Sequence, residues 1–225
     1  MLHPNRPVIF KIGSCRTSLD AFFPAGAFHS NYALSHTSKE AIQWMKLLQG
    51  NMDMCTITHV DMVVHDKERF DIEKYRRLYQ ESDVLLVEIS SLKTLSLDGS
   101  YYNLNFFRKK AAGDPELKKA IRVSIQRTDN LRNDLLEIRR LAGHKRVVFI
   151  GHLLMDFYDL PGFNPAHRRL IDSVLREEPG SIILADLFQE ADDYKDIFDG
   201  DPNHLRESSK ERIARRIEEA ASRAL

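Results

Sequence analysis

Cysteine is almost missing from this chain, because only Cys15 and Cys55 among its 225 residues are cysteine. Two cysteines are too few for the disulfide framework of a small secreted domain, and no C-x-x-C pair is present to hold a structural zinc ion. We therefore expect each cysteine to be a free thiol.

Long hydrophobic runs and an excess of charge of either sign are missing too. No stretch of about 18 apolar residues could span a membrane, and the N-terminal sequence contains no apolar region as long as that of a signal peptide. These absences predict a cytoplasmic protein that does not bind membranes. The 33 basic and 33 acidic residues cancel, so we expect no nucleic-acid partner.

What is present is the composition of one folded domain. The chain is 43% hydrophobic and 29% charged, which is usual for a globular protein. Short runs rich in Val, Ile and Leu alternate with amphipathic stretches, as in a parallel sheet that is buried on both faces by helices. We predict a single α/β domain over residues 1–225, with three α/β/α layers and a mostly parallel five-stranded sheet. The predicted strands are Val8–Ile12, Cys55–Val64, Asp83–Ile89, Arg146–Ile150 and Ser181–Leu187.

Capping signals mark the starts of three helices. Two have a capping box, in which a Ser or Thr and a Glu three residues later each bind a backbone N–H, and the third has proline at its first position. The pairs are Thr37 with Glu40, Asn164 with Pro165, and Ser208 with Glu211. Residues 103–143 are polar and mostly helical in propensity, with a break near Gly113, and we predict a helical insertion or a lid over the site.

Reactive side chains follow several of the predicted strands. In an open parallel sheet, ligands bind beyond the carboxyl ends of the strands, so we expect these side chains to meet at one edge. They are Ser14 and Cys15 after the first strand, Ser90 and Ser91 after the third, His152 after the fourth, and Asp201 and His204 beyond the fifth, with His36 before the first capped helix.

Cys15 is a residue type that serves as a nucleophile. His204 is a residue type that serves as its base, and Asp201 can hold the base in position. Backbone N–H groups at a strand-to-helix turn stabilise a thiolate, whereas the alternative is that Cys15 is a small residue filling a tight turn. A carboxylate three residues before a histidine can hold one imidazole nitrogen while the other accepts a proton from the nucleophile. Asp201 could instead cap a loop.

Two sequence blocks together carry a family resemblance. The residues "IGSC" after the first strand and "DPNHL" before the last helix resemble the first and last blocks of the SGNH (GDSL-type) hydrolase superfamily. They are most similar to its cysteine-containing branch, with GSCFA-like and capsule-biosynthesis acyltransferase-like members. The resemblance implies a flavodoxin-like SGNH fold, with Cys15 as the nucleophile and Asp201 and His204 in the Asp-x-x-His block.

The two middle blocks of the superfamily differ in this sequence. Its oxyanion-hole glycine would fall near Ser35 and His36, and its asparagine after the third strand would fall at Ser90 or Ser91. Loss of one oxyanion donor can lower a rate by about a hundredfold, so these four residues are candidates to supply the donor. His152 is a further candidate for substrate contact, and each histidine is alternatively a polar loop residue.

The principal hypothesis from the sequence is an acyl-transfer enzyme, either an esterase or thioesterase or an O- or N-acyltransferase. Cys15 would attack the acyl carbonyl, His204 would carry the proton, and Asp201 would orient the imidazole. No cofactor is required, acyl-CoA is a possible donor, and the acceptor is a small molecule that could be a carbohydrate. The sequence predicts no oligomeric state.

Other functions fit the same residues. Ser14 could be the nucleophile of a hydrolase, or the protein could be an inactive SGNH-fold protein that binds a ligand. A metal-dependent enzyme would need His36, His152, His204 and Asp201 around one ion, but no local ligand spacing favours a metal site. Arg16 and Lys39 could bind an anionic substrate or be solvated charges.

Overall fold

The chain is described by a computed structural model that covers residues 6–14, 19–64, 70–153, 165–191, 196–199 and 205–222. The strands are β1 (Ile9–Gly13), β2 (Phe28–Leu34), β3 (Val84–Ile89), β4 (Lys93–Leu97), β5 (Ser100–Tyr101), β6 (Arg122–Ile125) and β7 (Arg146–Gly151). The helices are α1 (Ser38–Leu48), α2 (Ile72–Glu81), α3 (Leu104–Ala111), α4 (Pro115–Ala120), α5 (Thr128–Ala142), α6 (Pro165–Leu175), α7 (Leu184–Leu187) and α8 (Glu207–Ser222).

The central sheet contains four parallel strands in the order β2-β1-β3-β7. β1 and β3 are buried along their whole length, which explains why their residues are apolar or glycine except for Lys11 and Glu88 and do not alternate with polar ones. The α/β class and the parallel sheet predicted from the sequence are confirmed. The chain order along the sheet reverses at β1, and ligands bind at such reversal points in open α/β sheets.

Helices cover both faces of this sheet. On one face, Phe10 and Leu85 belong to a core that includes residues of α1, α2, α5 and α6. On the opposite face, their chain neighbours Ile9 and Leu86 pack in a second core with α8. Successive side chains of a strand point to opposite faces, so both cores form on the same two strands.

The predicted second strand, Cys55–Val64, is wrong. Within the described chain this segment contains two short 3-10 helices, Met54–Thr56 and Val60–Met62. Its apolar residues are buried because they pack against the core of the first face, and no strand pairing is needed to bury them. The second strand is β2, whose sequence "FHSNYAL" mixes polar with apolar residues and therefore lacks the apolar run on which the strand prediction relied.

The predicted fifth strand, Ser181–Leu187, is also wrong. Ile182 makes a single parallel bridge to Ile150 in β7, and α7 begins at Leu184. Side chains from this segment are nevertheless buried in both cores. Burial against the sheet therefore accounts for the apolar run without a full strand, and the described sheet has four strands.

The capping predictions had different outcomes. Thr37 caps α1 as predicted, because its side chain accepts the Glu40 N–H at 3.2 Å. Pro165 is the first residue of α6, while Asn164 lies outside the described residues. Ser208 is not the cap of α8, which already begins at Glu207.

Residues 103–143 contain more than helices. The predicted break near Gly113 is confirmed between α3 and α4, but β6 was not predicted and joins an antiparallel sheet of order β5-β4-β6. Helix α5 packs against α1, where buried Asp134 accepts hydrogen bonds from Ser38 at 2.7 Å and from Gln126 at 2.6 Å. A lid role for the segment stays a prediction. No helix in the described ranges is long and apolar enough to cross a membrane.

Candidate functional site

The carboxyl edge of the central sheet carries several of the candidate residues. Gly13 is paired with Leu34, and Ile89 is paired with Gly151, so the residues after these positions lie along one edge. They are Ser14 after β1, Ser35 and His36 after β2, Ser90 and Ser91 after β3, and His152 after β7. Cys15, Arg16, Asp201 and His204 lie outside the described residues.

Ser14 is held by two buried charged side chains. Its backbone N–H donates to one carboxylate oxygen of Glu88 at 2.7 Å, and its hydroxyl donates to the other at 2.8 Å. The Nζ of Lys11 donates to the Ser14 carbonyl oxygen at 2.6 Å. Lys11 and Glu88 are each only 1% exposed. Every polar group of Ser14 therefore bonds to a charged partner from β1 or β3.

Lys11 and Glu88 were missed by the sequence reasoning, although a signal for them exists. Each is the one charged residue in a strand of otherwise apolar residues and glycine, "IFKIG" and "VLLVEI". A charge in a strand buried on both faces needs partners, since an unpaired buried charge is strongly destabilising. Such a residue therefore indicates a buried polar network.

The backbone donors after β3 are already bonded. The N–H groups of Ser90 and Ser91 both donate to the carbonyl oxygen of His36, each at 2.9 Å. This contact brings the segment after β2 across the end of β1, because β1 lies between β2 and β3 in the sheet. In this arrangement both N–H groups are used by the His36 carbonyl oxygen and are not available to bind an oxyanion. The Ser91 hydroxyl oxygen accepts the Lys93 N–H at 3.0 Å.

Glu40 lies beside His36 at the start of α1. Its carboxylate accepts the His36 N–H at 3.0 Å and the Thr37 hydroxyl at 3.1 Å. Burial raises the pKa of Glu40 to about 8, although hydrogen bonds from His36, Thr37 and Asn103 act to lower it. At neutral pH the side chain is therefore mostly a protonated acid. The buried Ser35 Oγ next to this segment has no hydrogen-bond partner in the described part of the chain.

His152 is a buried imidazole with an assigned tautomer. Its Nδ1 lies 3.1 Å from the carbonyl oxygen of Leu153. A carbonyl oxygen can only accept, so Nδ1 carries the hydrogen, and in the neutral ring Nε2 is the acceptor. His152 is thus oriented by the backbone.

Glu88 and His152 line a cleft whose other walls are apolar. The apolar lining consists of Leu153, Leu184, Phe188, Phe198, Leu205 and Ile213. The volume of this cleft is about 10 Å³, which is about the room that one water molecule needs, whereas small-molecule sites are on the order of 300 Å³ or more. Two described residues next to the predicted catalytic segments in the sequence are connected with this cleft: Ser14, before Cys15, binds Glu88, and Leu205, after His204, forms part of the lining.

The remaining candidates have other surroundings. Lys39 forms an ion pair with Asp134 at 2.7 Å, which gives its charge a structural partner. Cys55 is an exposed free thiol. Among the residues that the structure describes, no three His, Cys, Asp or Glu side chains are grouped so that they could hold a metal ion. The metal hypothesis also needs Asp201 and His204, which are not among those residues.

Comparison with known families gives one match. The family model described as the TviD N-terminal domain matches residues 7–113. The matched stretch contains β1, β2, β3 and α1, with Lys11, Ser14 and Glu88. The chain is thus similar to this domain over the part that builds three of the four strands of the central sheet. No curated protein matches the chain.

Proposed function

We propose that the protein is an acyl-transfer enzyme with Cys15 as nucleophile, His204 as proton carrier and Asp201 as the residue that orients His204. The observation that carries the proposal is the cleft at the carboxyl edge of the sheet. Ser14, which precedes Cys15, is bound by the cleft residue Glu88, and Leu205, which follows His204, forms part of the cleft wall.

The proposed reaction has two half-reactions. In the first, the Cys15 thiol gives its proton to His204 and its sulfur attacks the acyl carbonyl carbon. The new carbon–sulfur bond forms, the bond to the leaving thiolate or alkoxide breaks, and that group takes the proton from His204. In the second, His204 accepts a proton from an alcohol, amine or water as its oxygen or nitrogen attacks the thioester. The sulfur then leaves and recovers the proton.

The sheet supports an SGNH-type fold for the proposal. The order β2-β1-β3-β7, with Ile182 bridging to β7, follows the flavodoxin-like order as far as the described strands extend. In this fold the nucleophile follows the first strand, the place that Cys15 has in the sequence. Because the N–H groups of Ser90 and Ser91 are bonded to His36, we assign the oxyanion donor to the N–H of Cys15.

The substrates belong to the proposal as well. We propose an acyl donor such as acyl-CoA and a small acceptor such as a carbohydrate hydroxyl, with no cofactor. In this proposal Glu88 and His152 supply polar contacts, and the apolar walls of the cleft move apart to admit the hydrocarbon part of the acyl group, because the cleft of about 10 Å³ is too small for it. We also propose that the enzyme acts in the cytoplasm.

The test is intact-mass spectrometry after brief exposure to a panel of acyl-CoA thioesters and activated esters. The experiment uses a Cys55→Ser background, because the exposed Cys55 thiol would otherwise react by itself. We expect an acyl adduct on the Cys55→Ser protein and none after the further change Cys15→Ala. Release of the adduct by an added alcohol, amine or water identifies the acceptor class.

The same experiment separates the other hypotheses. No adduct across the panel, together with slow alkylation of Cys15, would favour an inactive ligand-binding protein. A hydrolase dependent on Ser14 has an observation of its own, since the Ser14 hydroxyl lies 2.8 Å from a Glu88 oxygen that could accept its proton. In that case Ser14→Ala would abolish the adduct and Cys15→Ala would keep it.

A further inference from the structure

Two charged residues in the middle of the sheet have no part in the proposed proton transfers. Lys11 and Glu88 lie in β1 and β3, where both faces of the sheet are covered. Replacing buried charges by apolar residues of similar size is often neutral or stabilising, so stability alone gives little reason for them. Their described hydrogen bonds converge on one residue, Ser14.

The bonds fix one peptide segment from two sides. Glu88 binds the N–H and the hydroxyl of Ser14, while Lys11 binds its carbonyl oxygen. The Ser14 carbonyl belongs to the peptide group that joins Ser14 to Cys15. Charge-assisted hydrogen bonds are shorter and roughly twice as strong as neutral ones, so this set restrains the start of the turn.

We infer that Glu88 is a positioning residue that, together with Lys11, holds Ser14 in place and thereby restrains the start of the segment that carries Cys15. The inference rests on the proposed function, because it concerns the nucleophile of that reaction. Glu88 also lines the small cleft, so one side chain contacts both Ser14 and this space. Misplacement of a reacting group by about 1 Å can cost a hundredfold in rate, which is why such restraint matters.

The test compares Glu88→Gln with two other variants in the Cys55→Ser background. Glutamine can accept the Ser14 N–H and donate to the Ser14 hydroxyl oxygen, so it keeps both contacts and loses the charge. Ser14→Ala removes only the hydroxyl contact and serves if Glu88→Gln fails to fold. Glu116→Gln is the matched control, because the side chain of Glu116 is 83% exposed and remote in sequence from β3.

Two readouts separate positioning from mere stability. We expect Glu88→Gln to lower kcat for acylation by about tenfold or more with little change in KM, and Ser14→Ala to lower it severalfold. We also expect the rate ratio of iodoacetate to iodoacetamide at Cys15 to rise about twofold to threefold, since the nearby negative charge is gone. The control should change neither readout.

Each outcome supports the inference or overturns it. Glu88→Gln with unchanged kcat and an unchanged reagent ratio would overturn it, even if the variant were less stable. A changed reagent ratio in a protein that forms no acyl adduct would support the positioning role and contradict the proposed function. A Cys15 thiol that neither reagent reaches would overturn both, because a positioned nucleophile must be accessible.

Discussion

The substitution Glu40→Gln should remove a pH dependence from the stability of this protein. Burial raises the pKa of Glu40 to about 8 from the ordinary value of 4.5. The folded state therefore holds the proton more tightly than the unfolded chain does. The resulting stabilisation is fully present below pH 4.5 and is lost as the pH rises toward 8. Glutamine resembles the protonated acid in shape and has no proton to lose.

The size of the effect follows from the two pKa values of Glu40. One pKa unit corresponds to about 1.4 kcal/mol, so the wild type should lose about 2–3 kcal/mol of unfolding free energy from this group between pH 5 and pH 7. We expect Glu40→Gln to be similar to the wild type at pH 5 and more stable at pH 7 by about that amount.

Urea unfolding followed by tryptophan fluorescence measures this difference. Trp44 is the single tryptophan, lies in the same helix as Glu40 and is 2% exposed, so unfolding changes its environment strongly. Glu116→Gln, at an exposed position, should follow the wild type at every pH. A constant difference between Glu40→Gln and the wild type from pH 5 to pH 7 would refute the reasoning. It would mean that the hydrogen bonds from His36 and Thr37 outweigh the burial.

Three further predictions concern packing and can be measured by the same urea unfolding. A Cβ at Gly151 would lie 2.6 Å from Asp172 Oδ1, so Gly151→Ala should lower the free energy of unfolding by about 1–3 kcal/mol. Adding Asp172→Ala should recover most of this loss, and additive losses from the two substitutions would contradict the prediction. Asp134→Ala, which leaves the buried Ser38 and Gln126 without this acceptor, should lower the free energy of unfolding by about 1–3 kcal/mol. Asp129→Ala, which removes an exposed ion pair with Arg132, should lower it by less than about 1 kcal/mol, and equal losses would contradict the buried network. Ile213→Ala in α8 should cost about 2–5 kcal/mol, and Leu136→Ala, which is 61% exposed, should change stability by less than about 0.5 kcal/mol.

Sequence patterns predicted the structure reliably where residues close together in the chain hydrogen-bond to each other. Thr37 and Glu40 marked the start of α1 because the capping contacts join residues three apart. The mostly apolar runs at β1, β3 and β7 identified buried strands, since burial on both faces leaves few other residue types possible. The runs at Cys55–Val64 and Ser181–Leu187 misled the same reasoning, because a buried apolar segment need not pair as a strand.

The sequence by itself determined the α/β class and the buried strands. It also showed which reactive side chains follow the carboxyl ends of these strands. Only the tertiary structure decided which groups meet there. Lys11 and Glu88 are 77 residues apart and converge on Ser14 because β1 and β3 are adjacent in the sheet. The His36 carbonyl binds the N–H groups of Ser90 and Ser91 because the segment after β2 crosses the end of β1. Such contacts depend on strand order, and strand order is set by the packing of the whole chain rather than by any local pattern.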